Sequence, residues 1–435
     1  MKILIISALY YPARSPNVYR WDAIARLWAA QGNEIHWLCT RFGDEPAETK
    51  VNHVYIHRTG YHTLLDWVYD KLGTAGRRGT LGAGKPRSNG FRKFIEQIVN
   101  LTWRKVYWPD GSCLWYFPAK RKALQLMLSH SFDVIISVSL PFTSVLIASA
   151  IKKKYPHVRW LMDIEDPFSF VEEYFINNRA FFKQRNITKE GRALRLANRV
   201  AVTVEAARQK YLACYPLLEN KIAVAPPLFE EIETDFNKEP GVELEPAKIH
   251  LAYFGTFYFP IRSPEGLLGL IGQVISLCPE MRKKLVFHFA GTIPLEYAGR
   301  FQDFPAPEML RFYGLVSREQ VAAMMVRMDF LLNIGNSTDY HLPSKSAEYL
   351  MSGKPIVNLA SCTADTFATF MKNYPLILNL VLKSNKATPE QCKRFIQFLE
   401  KERGNAVNAS SLQVLGREYS VKAVAGKYMQ LLLAG

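Results

Sequence analysis

Residues 336–357 read Asn336-Ser-Thr-Asp-Tyr-His-Leu-Pro-Ser-Lys-Ser-Ala-Glu-Tyr-Leu-Met-Ser-Gly-Lys-Pro-Ile-Val357. Pro343 interrupts the chain, Ser344 is a good N-cap, and the residues from Lys345 to Ser352 have helical character. Gly353 supplies the stop, and Pro355 opens an apolar run with strand character. The segment therefore predicts a loop, a helix and a strand in that order. Lys345 and Glu348 are three apart and share a helix face. Free amides, the helix dipole and Lys345 converge at the helix start, an arrangement suited to an anion such as a diphosphate. Glu348, one turn in, is placed to accept hydrogen bonds from ribose hydroxyls. The same residues also fit a capped surface helix carrying an ordinary Lys–Glu pair.

The pattern of this stretch repeats on both sides of it. Strand candidates in the second half are Ile249–Gly255, Lys284–Gly291, Leu310–Val316, Phe330–Gly335, Pro355–Ala360 and Pro375–Leu380, with helices over Glu265–Leu277 and Arg318–Arg327. In the first half the apolar runs are Lys2–Ser7, Glu34–Cys39, Val54–His57, Asp133–Val138, Arg159–Asp163, Arg199–Val204 and Lys221–Ala225. Helical patterns over Arg20–Gln31, Ala119–Ser129 and Lys189–Ala197 lie between them. Short apolar strands alternating with helices predict an α/β chain of parallel sheets covered on both faces. At 435 residues, two domains are expected. The expected boundaries are 1–228 for a first Rossmann-like domain, 229–248 for an acidic connector, 249–415 for a second such domain and 416–435 for a C-terminal helix packing back on the first. Two doubly wound domains in tandem are expected to face each other across a cleft, with ligands at the carboxyl ends of the strands.

Composition narrows the partners. The formal net charge is +16, which favours anionic ones. The bases concentrate in Lys71–Lys105, within a segment 71–108 that reads as a basic insertion; Phe, Ile, Leu, Trp and Tyr are interleaved with them from Phe91 to Trp108. Such a stretch suits an anionic membrane surface, and equally a solvated basic loop over core aromatics. No nucleic-acid motif accompanies the charge, so nucleic acid is not expected. The six cysteines are scattered and the nine histidines form no metal-ligand spacing, so neither a disulfide framework nor a metal site is expected, and a cytoplasmic setting fits. The uncharged stretch Val134–Ile151 is divided by Pro141 and reads as strand, loop and helix start rather than a membrane span.

Two further places carry chemistry. Gly255 closes a strand where a missing side chain lets the backbone approach a ligand. Asp163, Glu165 and Asp166 follow another strand; a carboxylate there suits the proton of an attacking hydroxyl, while Asp166 equally suits a helix cap.

The segment around Lys345 resembles the donor-binding motif of glycosyltransferase family four, in which a Pro-Ser-Lys-x-x-Glu-Tyr-x-x-x-Gly-Lys-Pro-Ile/Val run is characteristic. The resemblance extends over most of the chain. Lys2–Arg20, with Tyr10-Tyr11-Pro12, resembles the N-terminal strand and acceptor-side loop, and implies acceptor-side roles for Tyr11 and Arg20. Gln31-Gly32-Asn33-Glu34-Ile35 resembles the common Gly-His-Glu-Val turn. Asp163-Ile164-Glu165-Asp166-Pro167-Phe168 resembles an Asp-x-Arg-Asp-Pro-Trp motif, with Glu165 where Arg is frequent. Tyr253-Phe254-Gly255-Thr256 resembles the first strand and glycine turn of the donor domain. Family members place a basic residue in the loop that follows, which implies that Arg262 faces the donor phosphates. The family's two glutamates lie seven apart; with Glu348 as the second, the first position holds Tyr340, beside Asp339, so the sugar contact departs from the family pattern.

The resemblance implies a GT-B glycosyltransferase, retaining the anomeric configuration, that moves a sugar from a nucleoside-diphosphate sugar to a hydroxyl of a glycan or lipid-linked acceptor. Donor binding then falls to Gly255, Thr256, Arg262, Tyr340, Ser344, Lys345 and Glu348. Arg262 and Lys345 stabilise the departing diphosphate, Asp166 or Asp163 serves the acceptor, and neither a cofactor nor a metal is needed. The expected place of work is the cytoplasm or the inner face of the cell membrane. Two rival readings share the architecture: a nucleotide-sugar epimerase and a non-catalytic subunit that binds sugar nucleotide or glycan.

Overall fold

A computed structural model describes residues 1–13, 15–71, 90–232, 242–382 and 386–434, with backbone only for 90–93. Arg77, Arg78, Lys85 and Arg87 of the basic insertion lie outside the described residues, as do the side chains of Arg92 and Lys93. The chain divides into two compact units: Met1–Pro226 with Val421–Gly435, and Pro227–Ser420.

The first unit is built on eight strands: β1 (Lys2–Ile6), β2 (Glu34–Cys39), β3 (Glu48–Val51), β4 (Val54–Arg58), β5 (Val134–Ser139), β6 (Arg159–Ile164), β7 (Arg199–Val202) and β8 (Ile222–Val224), in the order β3-β4-β2-β1-β5-β6-β7-β8. All pairings are parallel except β3 with β4. The apolar runs form strands because helices cover both faces, so every residue of β5 is buried. The edge strand β3 is not foreseen from its sequence: Glu-Thr-Lys-Val is polar, largely exposed and carries no apolar run. The helix Pro16–Ala30 starts earlier than its apolar periodicity suggests, because the Ser15 side chain accepts from the Val18 amide and Pro16 opens the first turn.

The second unit carries β9 (Ile249–Phe254), β10 (Leu285–Ala290), β11 (Leu310–Gly314), β12 (Phe330–Ile334), β13 (Ile356–Ala360) and β14 (Ile377–Val381), all parallel, in the order β11-β10-β9-β12-β13-β14. One core packs Leu251, Phe287, Phe330 and Leu332 against the helix Glu265–Leu277. The other holds Ala252, Leu331 and Ile356 under Met324, Tyr349 and Phe367. The described parts of the acidic stretch read as a connector, 229–232 and 242–248, count with this unit: Val242 is buried in that second core, and Phe229 donates its amide to the Tyr419 carbonyl. The C-terminal helix is shorter than its sequence pattern, Val421–Leu433, and counts with the first unit. Val134–Ile151 forms β5 and the start of the helix Phe142–Lys154; among the described residues no helix is long and apolar enough to cross a membrane.

In each sheet the chain winds outward from its first strand, then returns to the other side of it. The order reverses between β1 and β5 in the first unit and between β9 and β12 in the second. Such reversal points open a crevice beyond the carboxyl ends of the strands. At the second one, Gly291 (φ +148°) lies so close to Gly255 that a Cβ on it would overlap the Gly255 carbonyl. A side chain at 291 thus faces both a steric block and a backbone conformation that L-residues avoid. We expect Gly291→Ala to destabilise the protein by roughly 1–3 kcal/mol. Gly272→Ala, within the helix Glu265–Leu277 and with nothing within 4 Å of its added Cβ, should be neutral or stabilising by roughly 0.5–1 kcal/mol. Thermal unfolding of the two variants beside the parent checks both signs.

Candidate functional site

The reversal point of the second sheet collects most of the residues read as donor-binding. The loop after β9 carries Gly255, Thr256 and Arg262, and the loop after β12 carries Asn336 and Tyr340. Arg262 ties the two together. Its Nε and Nη2 donate to Asn336 Oδ1 at 3.0 and 2.8 Å, and its Nη1 donates to the Tyr253 hydroxyl and the Thr256 carbonyl, each at 3.3 Å. All of these acceptors are neutral. The guanidinium is held in one place and none of those bonds neutralises its charge, so its field remains available to an incoming anion. Asn336 in turn donates to the His341 carbonyl at 3.2 Å, and the Ser337 amide donates to the Ile261 carbonyl at 2.8 Å.

Tyr349 locks the strands behind this loop pair. Its hydroxyl accepts from the Phe254 amide at 3.0 Å and donates to the Leu332 carbonyl at 2.9 Å, which bridges β9 and β12. Asn336 and Tyr349 are site residues that the sequence reading gave no role. The Asn follows a strand and a glycine, and the Tyr lies next to Glu348; those positions were the signals available.

The expected helix start needs correction. The helix is Ser346–Met351 and Lys345 is its N-cap residue, with no side-chain cap bond. Ser344 does not cap it: Ser344 is exposed, while the Ser346 amide and hydroxyl both return to the Pro343 carbonyl at 3.1 and 2.6 Å. A helix this short has little dipole to offer, so attraction for an anion rests on the side-chain cations instead. Lys345 Nζ lies 3.0 Å from Glu348 Oε1. Glu348 Oε2 is buried with no hydrogen-bond partner. An ionised acceptor left in that state is costly unless a donor arrives. Tyr340 is buried and packs on His341 with ring centroids 4.3 Å apart; Asp339 beside it is exposed.

In the first unit the structure separates residues that the sequence had grouped. Asp163 is fully buried. Its Oδ2 accepts from Trp21 Nε1 at 2.8 Å and its Oδ1 from the Tyr428 hydroxyl at 2.6 Å. Arg20 is buried too. It donates to the Ala225 carbonyl at 2.8 Å and to the Tyr428 oxygen at 2.7 Å, and its Nε lies 3.6 Å from Glu165 Oε1. Asp163 and Arg20 are therefore anchors for the C-terminal helix, not groups offered to an acceptor. Asp166 is half-buried and Tyr11 is exposed in the loop after β1. Of the strand ends in this unit, those at the order reversal are β1 and β5, which favours Tyr11 over the β6 carboxylates. Beyond β6 the loop to the helix Arg179–Leu196 encloses a pocket of about 350 Å³ lined by Phe168, Tyr174, Phe175, Asn177 and Asn186 among others.

Burial pushes the Glu165 carboxyl up to about 8; Arg20 opposes the shift, and Asp163 and Asp166 add to it. An unfolded glutamate titrates near 4.3. Between these values the folded state holds a proton that the unfolded state has lost, so stability falls as pH rises through that window. Glu165→Gln should flatten this part of the pH dependence. Melting temperatures of parent and variant from pH 5 to 8.5 check it: the parent should lose ground to the variant as pH rises.

No protein-family model matches the chain, and no curated protein matches it in sequence. Solved structures do match it in shape. The chain is similar to sucrose-phosphate synthase from Thermosynechococcus elongatus, with a TM-score of 0.65 and 13% identity over 100% of both chains. It is similar to an E. coli structure described as trehalose-6-phosphate bound with UDP-2-fluoro glucose, with a TM-score of 0.63 and 11% identity over 99% of both chains. It is also similar to WaaG, described as a glycosyltransferase involved in lipopolysaccharide biosynthesis, with a TM-score of 0.60 and 12% identity over 100% of both chains. The chain has the GT-B fold, two units each built on a doubly wound parallel sheet.

Proposed function

We propose that this protein is a glycosyltransferase that takes a sugar from a nucleoside-diphosphate sugar held by its second unit. The observation that carries the reading is the buried, unpartnered Glu348 Oε2. It sits on the helix that Lys345 precedes as N-cap residue, in a unit whose sheet-reversal loops hold Arg262 on neutral partners alone. An acceptor waiting for hydroxyl donors beside fixed positive charge is what a ribose followed by a diphosphate requires. In this reading Glu348 takes the ribose hydroxyls, Gly255 and Thr256 let the backbone approach, and Arg262 and Lys345 receive the diphosphate. As the glycosidic bond breaks, negative charge grows on the leaving phosphate and the two cations stabilise it. They supply that stabilisation without a metal. In the retaining course implied by the family-four resemblance, a donor phosphate oxygen takes the proton of the acceptor hydroxyl, and Tyr11, in the loop after β1, faces the acceptor. The UDP-sugar ligand named for one structural neighbour supports the donor class.

The reading separates phosphate from ribose contacts. Arg262→Ala and Lys345→Ala should each weaken nucleoside-diphosphate binding by about 1.5–3 kcal/mol while leaving nucleoside binding nearly unchanged. Glu348→Gln should weaken both ligands alike. Calorimetric titration with matched nucleosides and diphosphates checks this, and equal losses for both ligands in the Arg262 and Lys345 variants would refute the phosphate assignment.

The acceptor, in this proposal, is a glycan or a lipid-linked glycan at the inner face of a membrane. The support lies in the helix Gly90–Leu101. Phe94, Ile98 and Leu101, at helical spacing, are 58%, 44% and 64% exposed. Arg104 and Lys105 follow, in a chain of net charge +16. An apolar stripe rimmed by bases suits an anionic bilayer surface, where each nearby base contributes roughly 1 kcal/mol. The protein should co-sediment with anionic vesicles at low salt and less so at high salt, because screening acts over roughly 8–10 Å. Changing Phe94, Ile98 and Leu101 together to Ser should abolish the binding. A parent protein that ignores anionic vesicles at low salt would leave a soluble acceptor.

A further inference from the structure

Two histidine pairs sit in the two sheets with the same geometry and different ends. In each, the rings lie on neighbouring parallel strands, diagonally offset by two residues: His36 on β2 with His57 on β4, and His250 on β9 with His288 on β10. In each, the Nδ1 of the first histidine lies 2.9 Å from the Nε2 of the second.

The pair in the second unit closes with the hydrogens it owns. His250 Nε2 faces the Glu245 carbonyl at 3.0 Å, and His288 Nδ1 faces the Tyr313 hydroxyl at 2.8 Å. Two neutral imidazoles and one phenol carry three hydrogens for three contacts. The assignment that satisfies all of them places the His250 hydrogen on Nε2, the His288 hydrogen on Nε2, and directs the Tyr313 hydrogen to His288 Nδ1.

The pair in the first unit is one hydrogen short. Carboxylates stand at both of its ends: His36 Nε2 lies 3.0 Å from Glu34 Oε1, and His57 Nδ1 lies 3.4 Å from Glu48 Oε1. Carboxylates only accept. Two neutral imidazoles bring two hydrogens to three contacts, so one contact sets two lone pairs against each other, either between the rings or between a ring and a carboxylate. Glu48 also takes Lys122, which eases that end. At the other end a third histidine converges. His130, the residue that ends the helix Tyr116–Ser129, brings its Nδ1 to 3.4 Å from the same Glu34 Oε1. The ligand atoms of Glu34, His36 and His130 all lie within 4.8 Å of one another.

We infer that Glu34, His36 and His130 form a binding site for one divalent transition-metal ion of the zinc class. The donor set is two imidazole nitrogens and one carboxylate oxygen, which that class prefers. Metal–nitrogen bonds of about 2.0–2.1 Å in a tetrahedron put ligand atoms about 3.3 Å apart, against the 3.0 and 3.4 Å found around Glu34 Oε1. A cation on His36 Nε2 supplies the missing positive partner. It also sets the tautomers of the whole chain, with His36 Nδ1–H donating to His57 and His57 Nδ1–H donating to Glu48. An outer shell of this kind is what ligating histidines ordinarily have. Lys2 Nζ holds the other oxygen of Glu34 at 3.2 Å and leaves Oε1 to the ion. Glu34 and His130 are part-exposed, which gives the ion a way in and water a fourth position. Glu34 and His36 share one face of β2, at its amino end. That edge is opposite to the carboxyl ends where substrates bind, so the ion clamps the helix Tyr116–Ser129 to β2 and does no chemistry.

The test uses the full chain stripped of metal and titrated with Co²⁺ as a spectroscopic probe, then with Zn²⁺ in competition. One equivalent of Co²⁺ should bind with the visible absorption of a four-coordinate site, Zn²⁺ should displace it, and Zn²⁺ should raise the melting temperature. Glu34→Gln and His130→Ala, both at part-exposed positions, should weaken Co²⁺ binding by more than the roughly 10–100-fold that loss of an outer-shell partner costs. The exposed His157→Ala should leave it unchanged. Far-ultraviolet dichroism shows whether each variant is folded. Parent protein that binds no Co²⁺, or binding that survives both Glu34→Gln and His130→Ala, overturns the site and leaves the chain completed by an extra proton.

Discussion

A parallel sheet lines up the carboxyl ends of its strands along one edge, and that constraint arranges everything else in these two units. Strand order reverses once in each sheet, so one pair of neighbouring strands sends its outgoing loops to opposite faces and leaves a crevice between them. In the second unit these loops follow β9 and β12. Gly255 and Arg262 lie in the first loop, and Asn336 and Tyr340 in the second. Clusters found at the amino edge, such as Glu34 with His36 and His130, belong to the fold's construction rather than to its chemistry.

The two units use a held guanidinium in opposite ways. Arg20 is buried, and a buried charge without compensation costs several kcal/mol. It is met by hydrogen bonds to the Ala225 carbonyl and the Tyr428 oxygen and by the neighbouring carboxyl groups, of which Asp163 takes the Tyr428 hydrogen and Glu165 lies 3.6 Å from the Arg20 Nε. Breaking that arrangement would strand charge in the interior, which explains why the last helix of the chain returns to the first unit. Arg262 is held as firmly, but by an amide oxygen, a phenol and a carbonyl. Its position is fixed while its charge stays available. The same side-chain type is structural in one place and suited to anion binding in the other, and the difference lies in whether carboxylates surround it.

The contrast also shows what was legible in the sequence. Apolar strands bounded by Gly and Pro were readable because parallel strands covered on both faces must be apolar throughout; β5, β9 and β10 were plain for that reason. The polar edge strand β3 left no such trace. At the candidate site, the places of Gly255 and Arg262 after a strand, and of Lys345 and Glu348 at a helix start, were legible because local spacing sets them. Asp163 was misread because its partners, Trp21 and Tyr428, come from distant parts of the chain. Ser344 was misread because the competing bond, from Ser346 back to Pro343, looks the same in a sequence as a cap one residue earlier. The histidine cluster was invisible for a further reason. Its members are separated in the chain and meet only through strand pairing and a helix end.

Positioning of Arg262 extends well below the loops. Asn333, Asn358 and Asn379 occupy matched positions on β12, β13 and β14, and their amides bond across the sheet at 2.8 Å, from the buried Asn333 and Asn358 to the exposed Asn379 at the edge. Amides in a sheet interior are costly unless each finds a partner, so a slip in the register of β13 against either neighbour would break the ladder. Asn358 also donates to Asp365 Oδ1, which caps the next helix by accepting from the Ala368 amide. The residue after it, Thr366, donates to the His341 carbonyl at 2.6 Å. That carbonyl is the acceptor of Asn336, and Asn336 receives two bonds from Arg262. The polar chain therefore runs without a gap from the middle of the sheet to the cation at its edge. A guanidinium on a long flexible side chain is ordinarily a loosely placed charge. Here its place is set by strand register, which explains why a sheet interior that could be wholly apolar keeps two asparagines, Asn333 and Asn358.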